Sequence, residues 1–125
     1  MPDPEPRRSP LHATSDGKVF LAFADPPPEL PGELAPYTAH TVTSPEELKR
    51  QVRQTRERGW AAADSEFEDG LCGVAAPVFD ALGACAAALN VTGPTFRLRE
   101  VPAERLGEAC RAAAGRISAH LGFPG

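Results

Sequence analysis

The amino-acid sequence predicts an α+β fold, an antiparallel sheet backed by helices. A capped helical pattern lies near the middle of the chain, two short apolar runs follow it around a glycine-containing turn, and a second helical periodicity closes the sequence. The length of 125 residues suits one domain with a real core and is too short for two. Charged residues make up 24% and apolar residues 42%, near the globular average, so composition indicates neither disorder nor a membrane span. No apolar run reaches the roughly 18 residues of a transmembrane helix, and the opening MPDPEPRRSP lacks the apolar stretch of a signal peptide. A cytoplasmic location is therefore expected, with no membrane partner.

Residues 1 to 10 hold four of the fourteen prolines and are expected to form a flexible arm, leaving 11 to 125 as the folded domain. Ser15 to Ala24 places Val19, Phe20, Phe23 and Ala24 on helical spacing, with Thr14 or Ser15 available as the N-cap. The prolines of DPPPELPGELAP remove backbone donors and exclude both a helix and a central strand, so residues 25 to 36 read as a surface connection. Ser44-Pro45-Glu46-Glu47 then has the form of a helix start: a capping serine, a proline at the first helical position, and a glutamate placed to complete a capping box. That helix should run from Pro45 to about Arg58, buried through Leu48 and Val52 and stopped by Gly59.

The pattern next changes to the apolar runs WAAAD, LCGVAAPVF and ACAAALNVT, separated by SEFEDG and DALG. The last two, joined around Gly83, read as an antiparallel hairpin. From Pro102 onward Leu106, Ala109, Cys110, Ala113, Ile117 and Leu121 recur at three and four residue steps, predicting a terminal helix that packs that face on the sheet and ends at Gly122.

Strand parity points to function. Alternate residues of a strand face opposite sides. In residues 84 to 92 the even positions Ala84, Ala86, Ala88, Asn90 and Thr92 are small, then polar; in residues 71 to 79 the odd positions begin Leu71, Gly73 and Ala75. If these faces lie together they leave volume that their own side chains do not fill, and either another element such as Phe20, Phe23 or Phe96 plugs it or a ligand does. Asn90 and Thr92, side by side on one face, want polar partners if buried.

Several separate motifs carry a family resemblance. Leu11-His12-Ala13-Thr14-Ser15-Asp16-Gly17-Lys18 followed by Leu21-Ala22, the stretch Thr41 to Leu48, and Thr55-Arg56-Glu57-Arg58-Gly59-Trp60-Ala61 form the first part. Asp64 to Gly70, Ala75-Ala76-Pro77-Val78-Phe79-Asp80, Gly83 and Val91-Thr92-Gly93-Pro94 form the second. Over roughly residues 10 to 122 their order and spacing resemble the effector-binding domain of the IclR-type bacterial transcriptional regulators. The resemblance implies a GAF-like antiparallel sheet backed by helices, binding a small-molecule effector and assembling as a homodimer or tetramer. It implies a winged helix-turn-helix ahead of the sensor through which DNA is bound. That winged domain, and the opening part of the sensor, are not in this sequence, so the expectation is a partial, N-terminally truncated sensor. Carried over by position, the effector contacts fall on Ser15, Asp16, Ala63 or Asp64, Leu71, Gly73, Asn90 and Thr92. Two positions depart from the family pattern: Gly73 replaces a common cysteine, and Asp16 stands where a small neutral residue is usual. Asp16, with Asp64 nearby, opposes an anionic effector and favours a neutral or hydroxylated one, unless it merely fills the first helical turn, where acids are favoured.

The remaining chemistry reads blandly. Cys72, Cys85 and Cys110 fit neither a disulfide framework nor a metal knuckle and are expected to be reduced, mostly buried thiols. His12, His40 and His120 have no partner spaced to make a metal site, and no base accompanies a cysteine, so neither a metal, a cofactor nor catalysis is expected. Glu66, Glu68 and Asp69 read as a solvated loop. The net charge of −4 argues against direct nucleic-acid binding by this segment. The competing function is a free-standing binding or oligomerisation module that makes no DNA contact.

Overall fold

The computed structural model describes residues 10–125, so the expected arm lies outside the described residues except for Pro10. The elements follow in the order α1 (Ser15–Phe23), α2 (Pro45–Arg58), β1 (Ala61–Asp64), β2 (Leu71–Phe79), β3 (Cys85–Pro94), α3 (Thr95–Leu98) and α4 (Ala103–His120). Of the two candidate caps for α1, Thr14 is used: its hydroxyl oxygen accepts from the Gly17 N–H at 3.1 Å while the hydroxyl donates to the Pro10 carbonyl at 2.8 Å. Ser44 caps α2 by accepting from the Glu47 N–H at 3.3 Å. The reciprocal half of the expected capping box is replaced. The Glu47 carboxylate turns along the helix to Arg50 and Gln51, where a bidentate guanidinium offers charge-assisted bonds that one backbone N–H cannot match. Gly59 ends α2 in the left-handed region at φ 85°, its N–H donating to the Thr55 carbonyl at 2.8 Å.

The three strands form an antiparallel sheet in the order β1-β2-β3. Asp80 closes the β2–β3 turn by accepting from the Leu82 and Ala84 N–H groups. Each sheet face has its own cover. On one, Val74, Ala76 and Val78 join Trp60, Cys110 and Ala114 in the main core beneath α4. On the other, Ala61 and Ala75 pack against Val19 of α1, with Phe23 and Ala88 beside them.

The terminal helix departs from its expected orientation. Gly107, Cys110, Ala114 and Ser118 are its buried positions, whereas Ile117 and Leu121 are 41% and 48% exposed. The cause is a close approach: a Cβ at position 107 would fall inside the Trp60 indole, so the helix comes nearest the sheet at Gly107, with Leu106 packed beside the core. Ser118 then ties the helix to the sheet, accepting from the Phe79 N–H at 2.9 Å and donating to the Ala114 carbonyl at 2.9 Å. Residues 25 to 36 carry no helix or strand, as their prolines require.

Candidate functional site

The sheet face beneath α1 carries the small residues singled out by parity. The register sets Ala63 opposite Gly73, Gly73 opposite Thr92, and Ala75 opposite Asn90, so the small and polar positions of three strands lie on one face. Gly73 is needed there because a Cβ would stand 2.8 Å from the Val91 carbonyl and 2.9 Å from the Thr92 hydroxyl oxygen. Toward the C-terminal end of α1, Val19 and Phe23 fill the space above this face. Toward its N-terminal end the space stays open as a cavity of about 260 Å³. Of the three plugs considered from sequence, Phe23 serves, Phe20 is half-buried outside that cluster, and Phe96 is 72% exposed.

Ser15, Asp16, Ala63, Leu71, Gly73, Asn90 and Thr92 all line this cavity. Asp64 does not. Strand alternation sends it to the opposite side of β1, where Arg99 grips it through two hydrogen bonds of 2.9 and 3.0 Å, and those bonds hold its carboxyl below the usual carboxylate range. Ser15, Asp16, Asn90 and Thr92 have side chains with no hydrogen-bond partner among the described residues, yet no buried side-chain nitrogen or oxygen is left unsatisfied. Asn90 and Thr92 are exposed, so the burial under which they would need protein partners is not realised; their polar atoms, with those of Ser15 and Asp16, border the open side of the cavity, where water or a ligand can bond them. Thr14, by contrast, is spent on capping α1.

A residue read as solvated belongs here. Glu66 also lines the cavity and is largely buried, and its carboxylate accepts from Lys18 Nζ at 2.7 and 2.9 Å. Lys18 is 1% exposed and completes its donor set on the Ala62 carbonyl at 3.4 Å. Burial pushes the Lys18 ammonium below its ordinary pKa, with Glu66 opposing that effect. The sequence signal was Lys18 itself, a lone cation within an apolar helix, which must find an acid when it is buried. Of the remaining acids in that loop, Glu68 and Asp69 are exposed as expected.

The β1–β2 loop that supplies Glu66 is also fastened from outside. Thr38 and Thr41 donate their hydroxyls to the Ser65 and Glu66 carbonyls, and Tyr37 meets Phe67 edge to face at 5.2 Å. His12 is a buried structural histidine, with Nε2 at 2.8 Å from the Ala35 carbonyl and its ring stacked near Tyr37. All three cysteines are free; Cys110 is buried and Cys72 and Cys85 are half-buried, and burial raises the pKa of each thiol, which disfavours the nucleophilic thiolate. No helix among the described residues is long and apolar enough to cross a membrane.

Comparison with known proteins agrees with this architecture. The family model described as bacterial transcriptional regulator IclR, C-terminal, matches residues 5–119. The chain is 38% identical over 121 residues to the HTH-type transcriptional regulator KdgR of Escherichia coli, covering 94% of this chain and 46% of KdgR. It is 40% identical over 118 residues to the glycerol operon regulatory protein of Streptomyces griseus, covering 90% of this chain and 46% of that protein. It therefore spans less than half the length of these relatives. The crystal structure of the C-terminal domain of E. coli KdgR superposes with a TM-score of 0.77 at 34% identity, covering 94% of this chain and 74% of that one. The inducer-binding domain of the transcription factor PobR from Acinetobacter, solved as a double mutant with 3-hydroxybenzoic acid, gives 0.74 at 25% identity, with 94% and 75% covered. These relatives are regulators rather than enzymes, and the shared sheet, helices and motifs establish that this chain belongs to the IclR family of bacterial transcriptional regulators, as its C-terminal, effector-binding domain.

Proposed function

We propose that the cavity between the N-terminal end of α1 and the small face of the sheet is the effector site of a cytoplasmic regulator. Its occupancy controls DNA binding by a winged-helix domain, in a homodimeric or tetrameric assembly. The observation that carries this reading is the convergence of Ser15, Asp16, Asn90 and Thr92, four polar side chains with no described partner, on one cavity. A ligand there touches α1, β3 and the β1–β2 loop at once. It shifts the protein between states only to the extent that it binds one of them more tightly.

The electrostatics select among effectors. Asp16, Glu66 and Glu68 line the cavity, and Lys18 neutralises Glu66, leaving two uncompensated carboxylates. An anionic ligand meets this charge chiefly at the half-buried Asp16, whereas hydroxyl groups can donate to the carboxylates and exchange bonds with Ser15, Asn90 and Thr92. A neutral, hydroxylated effector is the consequence, in contrast to the carboxylic acid in the inducer-binding domain of PobR. A thermal-shift screen of polyols, sugars, aromatic acids and dicarboxylates tests this, because a ligand that binds only the folded state raises its melting temperature. Polyols or sugars should raise the melting temperature of the wild type and not of Asn90→Ala/Thr92→Val. Stabilisation by dicarboxylates in preference to polyols, or equal stabilisation of the double variant, refutes the assignment.

A further inference from the structure

The effector reading leaves a larger cavity without a role. It lies between α1, α2 and the proline-rich connection, is walled by Leu21, Leu48, Val52, Leu30 and Leu34, and encloses about 450 Å³. That volume falls within the ~300–1,000 Å³ of small-molecule sites. Its charged lining is of one sign. Lys49, Arg53 and Arg56 stand along one stripe of α2 at the mouth, and no carboxylate lines the cavity. Arg56 donates Nε to the Ala22 carbonyl at 3.1 Å, while Lys49 and Arg53 make no ion pair or side-chain hydrogen bond among the described residues. Neighbouring Arg50, which lies outside the cavity lining, is taken up by Glu47. In a chain of net charge −4, unpaired cations gathered over an apolar floor are a local feature rather than part of a basic surface.

Prolines restrict the backbone around Leu30 and Leu34, and the connection is anchored by His12 at Ala35, which lowers the ordering cost of binding. An apolar body would lie on Leu21, Leu48 and Val52, while an anionic head would reach Lys49 and Arg53 at the rim, where long cationic side chains keep their charge in water above a buried stem. A flat polyanion such as nucleic acid matches the charge but leaves the apolar floor uncovered, and a neutral hydrocarbon does the reverse. We propose that this groove is a second ligand site, separate from the effector cavity, for an amphipathic monocarboxylate with an alkyl or aryl body.

Calorimetric titration with octanoate, below its micelle-forming concentration, tests the proposal, with octanamide as the neutral control. Octanoate should bind saturably, at least tenfold more tightly than octanamide and more weakly as salt rises. Lys49→Gln/Arg53→Gln should weaken it tenfold or more, and those exposed substitutions leave the fold intact. Thr92→Val, in the effector cavity, should leave octanoate affinity unchanged, which separates failure of this site from failure of the effector reading. The absence of saturable binding, equal affinity for octanamide, or insensitivity to Lys49→Gln/Arg53→Gln overturns the proposal. So does a change of oligomeric state in that variant without octanoate binding, which would make the groove an interface between copies of the chain.

Discussion

Lys18→Met breaks the most deeply buried ion pair described, and its cost can be worked from the structure. Lys18 Nζ has three protons and three acceptors, Glu66 Oε1 at 2.7 Å, Oε2 at 2.9 Å and the Ala62 carbonyl at 3.4 Å, so the ammonium is satisfied by the protein alone. Methionine fills a similar volume but leaves the Glu66 carboxylate, with its side chain 11% exposed, without a cation. Removing one partner of a buried pair costs ~3–5 kcal/mol, a large part of the ~5–15 kcal/mol that holds a domain together. The pair as a whole behaves differently. Because burial outweighs Glu66 in setting the Lys18 pKa, the charges are held at a desolvation cost, and Lys18→Met/Glu66→Leu should lie within about 2 kcal/mol of the wild type. Urea unfolding followed by fluorescence of Trp60, the single tryptophan and 3% exposed, measures all three proteins. Between the lowered Lys18 pKa and the ordinary 10.5, the unfolded chain holds a proton that the folded chain has released. Wild-type stability should therefore gain a rising contribution with pH across that window, and Lys18→Met should lack it. A single variant within 1 kcal/mol of the wild type, or a double variant as unstable as the single, refutes the reasoning.

Other substitutions probe separate parts of the account. Gly107→Ala drives a methyl group into the Trp60 indole and should cost ~1–3 kcal/mol with a red-shifted Trp60 emission. Gly115→Ala, on the same helix with nothing within 4 Å of the added Cβ, should instead stabilise by ~0.5–1 kcal/mol in the same urea assay. Asp64→Asn removes an exposed, solvent-screened pair and should change stability little at neutral pH. Asp64 has its pKa lowered from 3.8, so its contribution is full above that value and lost as pH falls through the lowered one; the variant should show a shallower acid limb in melting temperature against pH. Asp16→Asn should raise affinity for succinate about tenfold or more, since a carboxylate ~8 Å from a bound anionic group costs ~2 kcal/mol at an effective dielectric near 20; unchanged affinity by calorimetry would count against Asp16 as a selectivity residue.

Much of this was legible because it rests on local rules. The Ser44-Pro45 start and Gly59 stop of α2 follow from backbone donors and from the left-handed φ that glycine tolerates. Period-two alternation puts Leu71 and Gly73 on one face of their run and Asn90 and Thr92 on one face of theirs, and the strand register, which the sequence leaves open, brings the two faces together. What could not be read depended on partners distant in sequence. The expected face of α4 holds at Cys110 and Leu106, which pack on the core, and fails at Ile117 and Leu121, because the bulk that sets the helix's closest approach is Trp60, 47 residues before Gly107 in the chain. Glu66 looks like its neighbours Glu68 and Asp69, and only the position of Lys18 beneath the loop distinguishes it. Asp64 was likewise separated from the cavity by strand alternation and by Arg99, which the sequence places 35 residues away.

The cavity beneath the N-terminal end of α1 is proposed to receive a small, neutral, hydroxylated effector. Amide chemical-shift mapping of the labelled protein, titrated separately with glycerol, erythritol, ribitol and succinate, tests it most directly. At least one polyol should move the amides of Ser15, Asp16, Gly73, Asn90 and Thr92 saturably while leaving those of residues 49 to 56 in place, and succinate should not. Polyol shifts confined to other parts of the chain, or succinate saturating this cluster at lower concentration than any polyol, would contradict the account.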